Sequence, residues 1–267
     1  GLAVPALVRQ VKAGLPDHIA ESFHKGTTSQ DAIDTSLMIR LKRICETFCA
    51  RMEMIQSELN NFSQLYGSNT LMARTRMQAA LPIRLHDKLN AWASPIGTLL
   101  AKAPNFFPIQ LGGPVGTLSQ MGSDGAKIAE ELATLLNLDN TQCAWHSDRQ
   151  PVLAIATWAT QISTALGKIG QDIALMAQTE VAELALKGGG TSSAMSHKNN
   201  PVLAESLVAA ARFNAVQMGG LHQAALHENE RSGSNWTLEW MILPNMLQMT
   251  GGALLACEKL LASIEFG

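Results

Sequence analysis

Nine apolar residues, Ile33, Leu37, Leu41, Ile44, Phe48, Met52, Ile55, Leu59 and Phe62, follow one another in steps of three and four along an unbroken stretch that begins at Asp31. That period gathers all nine on one face of an α-helix and would scatter them over both faces of a strand, so only a helix buries them together. At about 1.5 Å per residue such a helix runs for about 45 Å, well beyond the ordinary length of about eleven residues. A rod that long needs other rods beside it to cover its apolar face. Similar patterns run from Val152 to Leu186, from Pro201 to Leu226 and from Trp236 to Ile264, with shorter ones over Ser123 to Leu136 and Ile83 to Leu100. No alternating Val/Ile/Thr run and no Asn-Gly turn signals a hairpin. The fold class expected is all-α, a bundle of long helices.

Organisation follows from the same pattern. Residues 1–30 read as the end of an N-terminal helical region that carries a first polar motif, and residues 31–267 as the central long-helix bundle domain. The chain opens Gly-Leu-Ala-Val-Pro directly ahead of an apolar-periodic segment, which reads as an interior stretch of a longer protein with flanking N- and C-terminal parts.

Charge and composition narrow the function classes. The formal net charge is −2, with acids and bases spread along the chain and aromatics at 5%; there is no basic run to hold a phosphate backbone, so no nucleic-acid partner is expected. The longest uncharged run, Trp240 to Cys257, contains Pro244, Asn245, Gln248, Thr250 and Gly251. Those groups are costly in lipid, so the run reads as a buried bundle helix and no membrane partner is expected. Cys45, Cys49, Cys143 and Cys257 are too scattered for a disulfide framework. Cys45 and Cys49 lack a second Cys or His pair nearby, so they read as reduced packing residues rather than half a metal site, which favours the cytoplasm.

Three connectors carry more polar groups than a plain loop requires. In His24-Lys25-Gly26-Thr27-Thr28-Ser29-Gln30-Asp31, just before the first long helix, Thr28 and Asp31 have capping-box spacing with Asp in place of the usual Glu. The segment is equally well read as a helix cap or as a carboxylate cradle built from hydroxyls and a helix N-terminus. In Met72-Ala73-Arg74-Thr75-Arg76-Met77-Gln78-Ala79-Ala80-Leu81-Pro82, Arg74 and Arg76 offer two guanidinium forks ahead of a proline that starts the next element. Such forks suit carboxylates, although two solvated surface charges explain them as well. The third segment, Gly188 to Pro201, has three glycines that end a long helix, then two serines, a His and a Lys, and Asn200 capping a helix that starts at Pro201. A glycine hinge, a polar loop and a helix start together have the form of a lid that closes over an anion.

Ser192-Ser193-Ala194-Met195-Ser196-His197-Lys198-Asn199-Asn200-Pro201 closely resembles the fumarase/aspartase superfamily signature G-S-S-x-M-P-x-K-x-N-P, and His24 to Asp31 resembles that superfamily's H-x-G-x-T-S-x-D element. The likeness extends through Gly112-Gly113-Pro114-Val115-Gly116-Thr117 and Met176-Ala177-Gln178-Thr179-Glu180, over essentially the whole chain. It implies a bundle of long helices that forms a homotetramer through a helical core, with active sites shared among three subunits. It also implies no metal or organic cofactor, and addition or elimination beside a carboxylate through an aci-carboxylate carbanion.

Within the superfamily, adenylosuccinate and argininosuccinate lyases carry a His in an R-T-H-x-Q-like second motif, and Arg76 stands in its place here. Gln78-Ala79-Ala80-Leu81-Pro82 and Trp236-Thr237-Leu238-Glu239-Trp240 resemble the bacterial 3-carboxy-cis,cis-muconate cycloisomerases of the protocatechuate branch of the β-ketoadipate pathway. The resemblance implies a tricarboxylate substrate and these roles: Ser192 as proton carrier, Lys198 and Asn200 on the carboxylate that takes up enolate charge, and Thr28 and Ser29 on another. Arg74 and Arg76 would be further clamps, His24 a substrate-side hydrogen-bonding group in the catalytic set, and Gln78, Ser193 and Met195 part of the substrate lining. Ser196 replaces the usual signature Pro, Thr191 stands where Gly is common, and Asn199 replaces a frequent Arg or Val. His146 and Arg149 are weaker site candidates, read first as capping or ion-pairing groups, and His227 and Arg231 are candidates to line the site. His18, His86 and His222 read as structural. A β-eliminating lyase of the adenylosuccinate type and a non-catalytic helical scaffold remain the alternatives.

Overall fold

The computed structural model describes residues 3–191, 195 and 198–266. Its elements in chain order are α1 (Ala3–Ala13), α2 (Asp17–Ala20), α3 (Ser29–Tyr66), β1 (Thr70–Thr75), β2 (Gln78–Arg84), α4 (Leu85–Ala101), a 3-10 turn (Ser119–Asp124) and α5 (Gly125–Leu136). They continue with α6 (Gln150–Met176), β3 (Leu184–Leu186), β4 (Gly190–Thr191), β5 (Asn199–Asn200), α7 (Val202–Ala224), α8 (Ser234–Leu261) and β6 (Ile264–Phe266). Helices dominate, as the periodicity requires, and α3 is a single helix of 38 residues. No helix among the described residues is long and apolar enough to cross a membrane.

The chain forms two compact units. The first comprises Gly1–Cys45, Pro104–Ile155 and Leu221–Trp240, and the second Glu46–Ala103, Ala156–Gly220 and Met241–Gly267. In the first unit, Ile109, Ala129 and Ala133 form a buried cluster flanked by Leu111, Leu132 and Leu138. In the second, the later members of the α3 series, Met52, Ile55 and Leu59, are fully buried, as are Leu85, Leu89 and Trp92 of α4 and Ile162, Leu166 and Ile169 of α6. A polar knot fixes α6, α7 and α8 within that core. The amide of Asn214 donates to the Ser163 and Thr250 hydroxyls at 2.7 and 2.9 Å, and the Thr250 hydroxyl donates back to the Met246 carbonyl. These bonds form only when the three helices are in register, although the Asn214 Oδ1 atom is buried without a hydrogen-bond partner.

Four expectations need correction. The second polar motif is a β-hairpin: β1 and β2 pair antiparallel from Thr70–Arg84 to Thr75–Gln78, and Pro82 lies within β2 opposite Met72 rather than opening the next element. The α6 helix stops at Met176 and not at Leu186, because Gln178–Val181 turn back and Leu184–Leu186 then pair with Ile264–Phe266. The three glycines therefore follow a strand rather than end a helix, and Gly190–Thr191 pair with Asn199–Asn200. The next helix begins at Val202, one residue later than predicted. The packing reading holds for Cys45, which is buried, while Cys49 is half-buried; Cys257 is buried and Cys143 exposed.

Candidate active site

The start of α3 is built around Asp31, which is 4% exposed. Its carboxylate accepts the Thr28 N–H at 2.9 Å, which is the reciprocal half of the capping box. It also accepts the N–H groups of Gly112 and Gly113 at 3.0 Å each and faces His146 Nε2 at 2.8 Å. One residue thus ties the His24–Asp31 turn to the Gly112–Thr117 turn, and only glycine serves at 113. Its φ is +72°, and a Cβ there would stand 2.6 Å from the Gly26 carbonyl oxygen. Thr28, Ser29 and His24 are half-buried along the same turn. His24 has a positive φ of 62°, and its Nδ1 is 2.7 Å from the Thr27 hydroxyl.

Beneath this turn lies a buried charge cluster. Arg149 makes two hydrogen bonds to Asp34, at 2.7 and 3.1 Å, and two to Glu239, at 2.9 and 2.8 Å, while its guanidinium lies 4.9 Å from the Trp145 ring centroid. Burial works to lower the Arg149 pKa, but its hydrogen bonds and charge contacts with Glu239 and Asp34 outweigh burial and raise it. Burial pushes the Glu239 carboxyl above its ordinary range despite Arg149. Gln30, fully buried, donates to Asp34 and to the His146 carbonyl and accepts from Arg231, which also reaches the Pro114 carbonyl. The ion-pair reading therefore holds for Arg149, and His146 is hydrogen-bonded to a carboxylate. Both ring nitrogens of His227 are buried without a hydrogen-bond partner. Burial first, and then the charge of Arg149, lower its pKa.

In the second unit the hairpin turns on Arg76 and Met77, whose φ values of 50° and 66° are both left-handed. Two such residues make a tight two-residue hairpin turn that usually takes Asn-Gly. Each costs about 1–2 kcal/mol in a residue with a Cβ. A register shift between Met72 and Arg74 bulges the strand, and such bulges re-aim side chains. Arg74 donates to Glu183 at 2.6 Å and to the Met72 carbonyl at 3.2 Å. The hairpin, Lys88 of α4 and the α6 face of Lys168, Gln171 and Asp172 enclose a cleft of about 620 Å³, completed by Gln178, Val181 and Glu183. Gln78 is exposed on β2 and does not line this cleft.

Of the signature segment, Ser192 and Ser193 lie outside the described residues. Met195 and Lys198 are exposed, with the Lys198 N–H donating to the Met195 carbonyl. Asn199 latches onto the preceding strand, its side-chain amide donating to the Leu186 carbonyl at 2.6 Å. Gly189 lets it fit, since a Cβ there would meet the Asn199 side-chain oxygen at 2.1 Å. Asn200, half-buried, lines a cavity of about 320 Å³ with Gly188–Gly190, Val202 and Leu260.

The first unit thus gathers His24, Thr28 and Ser29; in the second, Arg74 and Arg76 share the cleft, and Met195, Lys198 and Asn200 follow the glycines. The sequence reading missed Asp31 as the hub of the first turn, and Lys88, Lys168 and Asp172 in the cleft. Lys168 and Asp172 carried a signal, their i,i+4 spacing on α6. Among the described residues no group of three or more His, Cys, Asp or Glu side chains is placed to hold a metal.

Long helices with their polar motifs at helix starts and in the connectors define the fumarase/aspartase type of fold, and comparison with known proteins agrees. A lyase family profile matches residues 4–214, and the chain belongs to that family. It is 35% identical to the 3-carboxy-cis,cis-muconate cycloisomerase of Acinetobacter baylyi over 99% of this chain and 60% of the relative. The crystal structure of the 3-carboxy-cis,cis-muconate lactonizing enzyme of Pseudomonas putida superposes with a TM-score of 0.90 at 31% identity, over 99% of this chain and 60% of that one. A fumarate lyase from a Mesorhizobium species gives a TM-score of 0.90 at 26% identity, over 98% of this chain and 60% of that one. The chain spans about 60% of the length of these relatives.

Proposed function

We propose that the chain is the helical portion of a cycloisomerase that closes 3-carboxy-cis,cis-muconate to 4-carboxymuconolactone in the protocatechuate branch of the β-ketoadipate pathway. One observation carries the reading: Arg76, at the tip of a strained hairpin, stands over a cleft rich in fixed cations where related lyases carry a titrating His. Strain of this kind persists where the surrounding structure demands it and is common at functional sites.

The chemistry suits such a site. The terminal carboxylate furthest from the 3-carboxyl group attacks the carbon that bears it, forming the ring C–O bond. The π pair moves onto the neighbouring carbon and is held by the adjacent carboxylate as its enediolate, and a proton then reaches that carbon. A trianion takes up one proton and leaves as a dianionic lactone, with no fragment lost. The nucleophile is already ionised and already tethered, so the enzyme supplies positioning and charge more than acid–base power. Ser192 is assigned to the proton and Lys198 with Asn200 to the enediolate. Thr28, Ser29 and Arg76 hold the remaining carboxylates, with Arg74 beside them in the hairpin, and His24, Ser193 and Met195 complete the lining.

The same reading makes the enzyme a cytoplasmic homotetramer with shared sites. The His24–Asp31 motif begins α3 and the Arg74–Gln78 motif follows its end, and a 38-residue helix is about 57 Å long. The resemblance to a superfamily of homotetramers with shared sites supports different subunits supplying the two motifs to one substrate. Val216 and Met241, 74% and 64% exposed on α7 and α8, are apolar groups that such packing would cover.

The test is a spectrophotometric assay of the intact protein with 3-carboxy-cis,cis-muconate beside adenylosuccinate. Loss of diene absorbance with the first substrate alone supports the cycloisomerase. Turnover of adenylosuccinate supports the lyase alternative, and inertness toward both supports the scaffold.

A further inference from the structure

The cleft beneath the hairpin has a charge distribution that the sequence motif does not convey. Its lining holds four cations, Arg74, Arg76, Lys88 and Lys168, against two carboxylates, Asp172 and Glu183. Arg74 is not free: Glu183 holds it at 2.6 Å, and the pair neutralises itself. Asp172 is pinned by the Trp92 indole N–H at 2.8 Å, and two lysines face it, Lys168 at 2.5 Å and Lys88 at 3.8 Å. One carboxylate between two ammonium groups leaves one positive charge uncompensated, and Arg76 supplies a second.

We propose that this cleft binds two carboxylates of one substrate through Arg76 and the Lys88–Lys168 pair, that Asp172 positions the two lysines, and that Glu183 withholds Arg74 from the anion. The inference rests on the polycarboxylate reading above and deepens it, since it moves the carboxylate contacts from the Arg74–Arg76 pair to three cations on three different elements. Asp172 is 11% exposed in its side chain and hydrogen-bonded to a fully buried indole, so it cannot swing away. The lysines therefore stay clustered before any anion arrives, which lowers the ordering cost of binding. A compact ammonium suits a point contact and the planar Arg76 fork a bidentate one, so the cleft distinguishes the two carboxylates it holds. Glu183 limits affinity: it removes one cation from the site and places a negative charge on the wall.

The test uses calorimetric titration of the intact protein with propane-1,2,3-tricarboxylate, a non-reacting probe with the substrate's charge. Lys168→Met and Lys88→Met should each weaken binding about tenfold, and Lys168→Arg should recover most of the loss. Glu183→Gln should tighten binding severalfold, a gain that general damage to the fold would not produce. Arg51→Met, which removes a cation paired with Glu258 away from the cleft, serves as the control and should bind as the parent does. Thermal melts of each variant confirm folding. Binding by both lysine variants at the parental affinity, or a weakened Glu183→Gln, overturns the proposal. An intact protein that binds the probe in this pattern yet leaves 3-carboxy-cis,cis-muconate unchanged refutes the cycloisomerase reading and leaves the cleft assignment standing.

Discussion

Replacing Arg149 with Met tests the buried charge cluster most severely. Met keeps most of the side-chain volume, so the cavity contribution is small and the electrostatic one dominates. The variant strands Asp34 and Glu239, which are 0% and 2% exposed and have four hydrogen bonds from the guanidinium between them. Removing one partner from such a cluster costs about 3–5 kcal/mol, which for a chain of this size lowers the thermal midpoint by roughly 6–20 °C. The pH dependence carries a sign. The folded-state pKa of Glu239 already lies above its unfolded value, and burial raises it. The folded state therefore binds the extra proton, and the group's contribution is full below the unfolded value and falls as pH rises through the folded one. Without Arg149 that pKa climbs further, so the deficit of the variant should be largest near pH 8 and shrink toward pH 5.5. Adding Asp34→Asn and Glu239→Gln should recover much of the loss, because the uncompensated charges are gone. Thermal melts across this pH range measure all three effects. A loss below about 1 kcal/mol, or a deficit that grows on acidification, refutes the reasoning.

Other outcomes follow from the same geometry. Asp31→Ala leaves three backbone N–H groups and His146 without their acceptor; it should cost at least about 3 kcal/mol, and a melting point within 2 °C (about 1 kcal/mol) of the parent would contradict the hub role. Arg76→Lys should raise KM about tenfold, with kcat nearly kept and the pH profile unchanged in shape; a new ionisation near neutrality or an unaltered KM counts against a carboxylate clamp. Ser192→Ala and Thr28→Ala, each inactive alone, should regain up to about a quarter of parental activity when dissociated and reassembled together; mixed tetramers as dead as their parents would rule out shared sites.

The long helices were legible in the sequence because burial on one face writes itself as a period. The Ile33–Phe62 series needs no information from elsewhere in the chain to place α3. The hairpin at 70–84 was not legible, because most of its residues are exposed on both faces and alternation never develops. Its turn, too, uses Arg76 and Met77 at positive φ where Asn-Gly would have announced it. The periodicity past Met176 misled for a related reason. Leu184 and Leu186 continue the apolar spacing, but their partners are Phe266 and Ile264, about eighty residues away. The site divides in the same way. The signature serines, Lys198 and the Thr28–Ser29 pair stand in local strings, whereas Asp31 as a hub depends on Gly112, Gly113 and His146, all more than eighty residues distant. Asn199, a departure from the superfamily pattern, acquires its reason only in three dimensions, as the latch on Leu186.

The most direct test of the central claim is to run the reaction of the intact protein with 3-carboxy-cis,cis-muconate in D2O and follow it by proton NMR. One product is expected, the lactone, with the substrate's carbon skeleton intact and a single deuterium on the methylene carbon beside the acetate carboxylate. An unchanged diene, a fragment released by elimination, or a lactone carrying no deuterium at that carbon would contradict it.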